Sequence, residues 1–228
     1  PYGAGSTVVG AGFFADPEFP QKSGSDYSAI ELVKNHRRFT SRDDILSASN
    51  ENPSDLVVWH FLDVEANDHH RTLLDTSVTY PGGSIASDAM PWIEPDGSIY
   101  AGMAWPLPEQ VLSHPRSAGT FTRFLREYVV ERETMPLIDA LAKCTLYPAQ
   151  VIEGRAPQIS NKGRLRAGFD ADIVVFDLAQ VCDRATFEQM NQPADGVVHL
   201  LVAGQTVIAD GALDTSASPG RPIRAALA

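Results

Sequence analysis

Residues 56–88 constrain the fold more than any other stretch. Leu56-Val57-Val58-Trp59-His60-Phe61-Leu62 is a short, nearly continuous apolar run. A run of this length reads as a strand buried on both faces, as in a parallel sheet. From Glu65 to about Ser77 the pattern turns helical, with Leu73 and Leu74 on the inner face. Gly82-Gly83-Ser84-Ile85-Ala86-Ser87-Asp88 then reads as a second buried strand that ends in an acid, and Pro91 stops it. Strand, helix and strand with short connections predict a βαβ unit and an α/β fold. Asp88 falls at the C-terminal end of the second strand. In a barrel of parallel strands, that end is where catalytic side chains stand. The plainer reading of Ser87-Asp88 is a turn or a helix cap.

The rest of the chain surrounds this unit. Residues 1–27 are rich in Gly, Ser, Pro and aromatic residues and read as loops. A helical pattern runs from Tyr27 to about Ser49, with a second segment opening at Asp43 and capped by Ser41. Residues 91–115 form a long loop punctuated by Trp92, Tyr100 and Trp105. Such a length in a compact domain predicts an ordered lid. Helices are expected over Phe121–Glu133, from Leu137 to Cys144 after Pro136, and over Ala149–Ile152. After about residue 155 the character changes to turns and strands. Ala171–Asp177 reads as a strand, and Val197–Gly211 as a hairpin turning at Ala203-Gly204.

Bulk properties exclude several classes. The 228 residues are enough for one or two domains. A net charge of −11 argues against nucleic acid or an anionic membrane surface as partner. No apolar run approaches the roughly 18 residues of a membrane span. The N-terminal residues carry no signal-peptide pattern. They carry no initiator Met either, so the expectation is a fragment or a processed product. Cys144 and Cys182 make no disulfide framework or paired metal motif, which points to a reducing, cytoplasmic setting.

Few residues stand in chemically telling patterns. The six histidines form no His-x-His or His-x-x-x-His pair. His69 and His70 point about 100° apart on a helix and make a poor metal pair. His60, at the end of an apolar strand, reads as a structural histidine or, alternatively, as a metal ligand. No Gly-x-Ser-x-Gly elbow or phosphate loop is present. Arg116, after the long loop, has the chemistry to hold a carboxylate through two hydrogen bonds; otherwise it is a helix-start arginine.

Several of these stretches converge on one resemblance. Ser87-Asp88, His114-Pro115-Arg116 with Gly119-Thr120-Phe121, and Pro148-Ala149-Gln150 resemble the amidohydrolase superfamily. The strongest match is Lys162-Gly163-Arg164-Leu165 through Gly168-Phe169-Asp170-Ala171-Asp172-Ile173-Val174-Val175-Phe176-Asp177, together with Val202-Ala203-Gly204 through Gly211. The His-Pro-Arg-x-x-Gly-Thr-Phe pattern, with Tyr2 in Pro1-Tyr2-Gly3-Ala4-Gly5-Ser6-Thr7, narrows it to the D-aminoacylase branch, the N-acyl-D-amino-acid deacylases. Two features depart from that branch: Ala89 stands where Gly is usual, and the loop over 91–113 is longer.

The resemblance implies an α/β fold: the C-terminal part of a metal-dependent (β/α)8 TIM-type barrel plus the C-terminal share of a β-sandwich. Residues 1–154 would hold the last barrel strands and helices, with Leu56–Leu62 as strand seven, and residues 155–228 the sandwich portion. A complete barrel needs about 250 residues, more than residues 1–154 supply. The implied activity is zinc-dependent hydrolysis of the amide bond of N-acyl-D-amino acids, with N-acyl-D-glutamate a fitting substrate. Asp88 would be the general base and a candidate metal ligand, Arg116 would bind the substrate carboxylate, and Tyr2 would hydrogen-bond the scissile carbonyl. The other zinc ligands would lie upstream, so the partner is the N-terminal part of the same enzyme, with a homo-oligomer also compatible. Two alternatives stay open: a hydantoinase- or dihydroorotase-like enzyme acting on cyclic amides, and a non-catalytic barrel fragment with an assembly role.

Overall fold

The computed structural model describes residues 1–225. The chain divides into two compact units. The first comprises Pro1–Ser77, Asp88–Ala118 and Ala185–Gln192; the second comprises Val78–Ser87, Gly119–Arg184 and the chain from Pro193 onward.

The first unit is built on a four-stranded sheet. Its strands are β1 (Gly5–Val8), β2 (Ile30–Leu32), β3 (Arg37–Arg38) and β4 (Leu56–Trp59), in the order β1-β4-β2-β3. Around it lie α1 (Phe19–Ser23), α2 (Arg42–Glu51) and the start of α3 (Asp68–Thr79). Strand β4 is buried on both faces. Val57 packs into one cluster with Phe14, Phe19, Tyr27, Phe39 and Ile45. Leu56 and Val58 point the other way, toward Ala4, Val33 and Met190, with Met90, Trp92, Leu112 and Phe187 against them. The expected two-sided burial is therefore present, but the expected parallel pairing is not. Both neighbours of β4, β1 and β2, run antiparallel to it. Residues 27–38 also depart from the expected helix. Ile30-Glu31-Leu32 is buried at every position beside β4, and burial on both faces suits a strand rather than a one-sided helix. Helix α2 starts as expected, with the Ser41 hydroxyl accepting the Asp44 amide at 3.2 Å. Part of the 91–115 loop is ordered by Ile93, which bridges Ile99 and Leu112.

The second unit holds most of α4 (Arg116–Phe124), continued by a wider π-type turn over Leu125–Glu131, then α5 (Leu137–Cys144) and α6 (Leu146–Ile152). Its sheet is β5 (Ile173–Phe176), β6 (Val197–Val202), β7 (Gln205–Ala209) and β8 (Ala212–Leu213), in that order and antiparallel throughout. The expected hairpin is present, and Ala203 and Gly204 both take positive φ, 50° and 81°, as a two-residue hairpin turn needs. The segment leading to Asp88 forms no strand. Its backbone is fastened instead by residue 143: the Ile85 amide donates to the Lys143 carbonyl at 3.0 Å, and the Lys143 ammonium donates to the carbonyls of Tyr80 and Gly83. A single extended segment with one such anchor has no ladder to join.

Candidate active site

The residues expected to carry chemistry lie in the first unit, and one histidine links them. Asp88 follows the extended segment with φ of 48°, a left-handed conformation that Asp tolerates better than most residues. Its side chain is 84% exposed. Arg116, the first residue of α4, reaches it twice. Nε donates to the Asp88 carbonyl at 2.9 Å, and the guanidinium pairs with the carboxylate at 2.8 Å. Arg116 itself is 12% exposed, so a largely buried cation presents an outward-facing carboxylate. Its guanidinium, expected to hold a substrate carboxylate, here holds the carboxylate of Asp88. The turn after Asp88 is fixed by two serines that sequence reasoning did not single out. The Met90 amide donates to the Ser117 hydroxyl at 3.1 Å, the Ser113 hydroxyl donates to the Met90 carbonyl at 3.3 Å, and the two hydroxyls are 2.8 Å apart. Ser117 lies in the first turn of α4 and Ser113 precedes the helix, so no helical spacing in the sequence marked the pair.

Tyr2 enters beside the same helix start. Its ring meets the His114 ring edge to face, with centroids 5.3 Å apart and planes at 89°. The segment that carries it, just before β1, runs close to residue 62. The Leu62 amide donates to the Gly3 carbonyl at 2.9 Å, and a Cβ on Gly3 would fall 2.6 Å from the Leu62 carbonyl oxygen. Only glycine fits that approach. A Cβ on Gly5 would lie 3.6 Å from Nη1 of Arg116, so the start of β1 passes against the guanidinium. Tyr2, Arg116 and Asp88 thus share one neighbourhood: Tyr2 reaches Arg116 through His114, and Arg116 holds Asp88.

A second polar cluster lies behind it. Glu31, buried on β2, accepts hydrogen bonds from His36 at 2.8 Å and His60 at 3.2 Å and pairs with Arg38 at 3.0 Å. The His60 hydrogen bond leads in pulling the Glu31 pKa down to about 2, against the opposing effect of burial. His60 is thus tied to Glu31 through Nε2. Its ring packs on Phe187 with centroids 4.8 Å apart, and Phe187 packs on His114 at 5.2 Å.

A catalytic metal needs more donors than the described residues group together. Among the described residues, no three His, Cys, Asp or Glu side chains are grouped to hold an ion. A catalytic zinc takes three protein ligands and keeps one position open. Asp88 is the outward-facing donor at this site, and alone it does not make one.

The chain is similar to several known proteins. An N-acyl-D-glutamate deacylase of Alcaligenes xylosoxydans xylosoxydans is 42% identical over 118 residues, covering 52% of this chain and 23% of the relative. A D-aminoacylase of the same organism is 34% identical over 142 residues, covering 55% of this chain and 28% of the relative. The chain thus spans about a quarter of the length of these curated relatives. The crystal structure of a D-aminoacylase superposes with a TM-score of 0.67 at 25% identity, over 98% of this chain and 41% of the other. An N-acyl-D-glutamate deacylase from Bordetella bronchiseptica, complexed with zinc and a phosphonate inhibitor, shares the fold at a TM-score of 0.59 and 24% identity, over 91% of this chain and 38% of the other. The model of the amidohydrolase family matches residues 69–208, which is more than half of the chain. On that match, and on the fold it shares with D-aminoacylase, the chain belongs to the amidohydrolase family.

Proposed function

We propose that this chain is the C-terminal part of an enzyme that hydrolyses the amide bond of N-acyl-D-amino acids, with N-acyl-D-glutamate the favoured substrate class. The observation that carries the reading is the Asp88–Arg116 pair: an exposed carboxylate held at 2.8 Å by a guanidinium that is itself largely buried. The names of the curated relatives support the substrate class. In this reading residues 1–154 contribute to a (β/α)8 barrel and residues 155–228 to a β-sandwich, both completed by an upstream part. Cys144 and Cys182, both free thiols, fit a cytoplasmic location.

Each of the three residues takes one role. The Asp88 carboxylate takes the proton of the attacking water and passes it to the leaving amine. Arg116 supplies the cation for the substrate α-carboxylate, and a bidentate fork suits a planar anion. The fork holds Asp88 already, so the incoming carboxylate shares it and leaves the base closer to the scissile bond. The Tyr2 hydroxyl donates to the scissile carbonyl oxygen as negative charge develops there. A divalent metal, zinc in the Bordetella bronchiseptica structure, would when bound make the attacking water more acidic; upstream residues would supply its remaining ligands.

Asp88→Asn in the intact enzyme tests the central assignment, because it keeps the shape of the side chain and removes the base. Turnover of N-acyl-D-glutamate is expected to fall by at least ~100-fold with an unchanged circular dichroism spectrum. Turnover near the parent rate would show that Asp88 is not the base.

A further inference from the structure

His114 is fully buried, among the largest side chains in the chain with no exposure, and no step above uses it. Its position is unusual because one ring touches both residues assigned to grip the substrate. The edge of the pair with Tyr2 fixes the Tyr2 ring. Nδ1 accepts the backbone amide of Arg116 at 3.0 Å. That amide opens α4 and has no partner within the helix, so the imidazole fixes the backbone from which the Arg116 side chain departs. Phe187 closes a further side of the ring, with planes at 81°. Because Nδ1 accepts, the ring proton must sit on Nε2, which is buried. Burial, aided by the charge of Arg116, pushes the His114 pKa down to about 3, with the Ala4 carbonyl opposing it. The ring is therefore neutral across the working range of pH. It is too enclosed to meet substrate and too poorly basic to move a proton.

We propose that His114 is a positioning residue that sets Tyr2 and Arg116 in one fixed relation to each other, through its ring and through its Nδ1 acceptor respectively. The proposal rests on the reading of Tyr2 and Arg116 as substrate-binding groups. It assigns the two contacts separate consequences. Loss of the acceptor loosens the carboxylate grip, which acts on binding; loss of the ring loosens the tyrosine at the scissile carbonyl, which acts on turnover.

Two substitutions separate them in the intact enzyme. His114→Phe keeps a ring against Tyr2 and Phe187 and removes the acceptor. His114→Asn keeps an acceptor near the Nδ1 position and removes the ring. For N-acyl-D-glutamate we expect His114→Phe to raise KM about tenfold with kcat within about threefold of the parent, the effect of one lost hydrogen bond. We expect His114→Asn to lower kcat about tenfold with KM near the parent. A residue that only fills space would give the two variants the same profile; that result, or parent kinetics in both, overturns the proposal. Arg116→Ala serves as control for the underlying reading: parent KM in that variant sinks the carboxylate-binding role, whatever His114 does. Should either His114 variant fail to fold, nitrogen-15 NMR of the parent protein decides. A neutral ring protonated on Nε2 supports the assignment, and a proton on Nδ1 overturns it, since that nitrogen could not then accept the Arg116 amide.

Discussion

Glu31 shows how far one residue's surroundings can change its chemistry. From the sequence it is an acid within a supposed helix. In the structure it is a buried carboxylate with His36, His60 and Arg38 around it. The His60 hydrogen bond is the leading cause of a pKa lowered from 4.5 to about 2. A carboxyl group with a lowered folded-state pKa contributes stability above its unfolded pKa and loses it as pH falls through the folded value. Glu31→Gln keeps the shape and removes the charge. It is expected to destabilise the protein at pH 7 by about 2 kcal/mol. The difference between parent and variant in urea-unfolding free energy should shrink as pH drops from about 4.5 toward about 2. A gap that stays constant across that window would remove the ionised Glu31 as its cause. Sequence could not show this cluster, because its members come from β2, the turn after it, β3 and the residue after β4, and only folding brings them together. Asp88 and Arg116 were legible singly, from the acid after an apolar run and the arginine at a helix start. Their mutual ion pair was not, because 28 positions separate them.

At the scale of elements, local turn chemistry was readable and strand pairing was not. The hairpin at Ala203-Gly204 and the Ser41 cap follow from residues within a few positions of each other. The apolar run at Leu56–Leu62 signalled burial on two faces, which holds over Leu56–Val58 but not at Phe61, where the strand has already ended and the ring is exposed. It did not fix direction, because an antiparallel strand lying between two hydrophobic clusters is buried on both faces as well. The segment before Asp88 was read as a strand from its small apolar residues, but its conformation depends on a distant side chain. Lys143, 4% exposed, donates to the carbonyls of Tyr80 and Gly83, the latter at 3.0 Å. Burial lowers its pKa. Lys143→Met conserves the length of the side chain and leaves both carbonyls without that donor. The expected cost is about 2 kcal/mol of stability, read as a lower urea midpoint with an unchanged slope. Parent stability in Lys143→Met would mean that water replaces the ammonium at no cost.

At the scale of the whole molecule, the candidate site is an incomplete set of parts. The family was legible because its turn-and-strand pattern over residues 162–177 and its His114-Pro115-Arg116 run are local. The extent of the site was not, because the chain overlaps only 41% of the D-aminoacylase structure. This chain supplies a carboxylate, a guanidinium and a phenol, with a neutral imidazole holding two of them. Among its described residues no three metal-ligating side chains come together, and a catalytic zinc needs three protein ligands. Residues 1–228 purified alone and equilibrated with micromolar zinc are therefore expected to retain substoichiometric metal after gel filtration. They should also show no hydrolysis of N-acyl-D-glutamate. The intact enzyme under the same treatment should retain zinc and be active. If Asp88 is one of the ligands, Asp88→Ala should lower the zinc content of the intact enzyme as well as its turnover. If it serves as base alone, zinc content should stay at the parent level while turnover is lost. Stoichiometric zinc on residues 1–228 alone, measured by atomic absorption, would mean that these residues build a metal site without an upstream part, and the division of labour proposed here would fall.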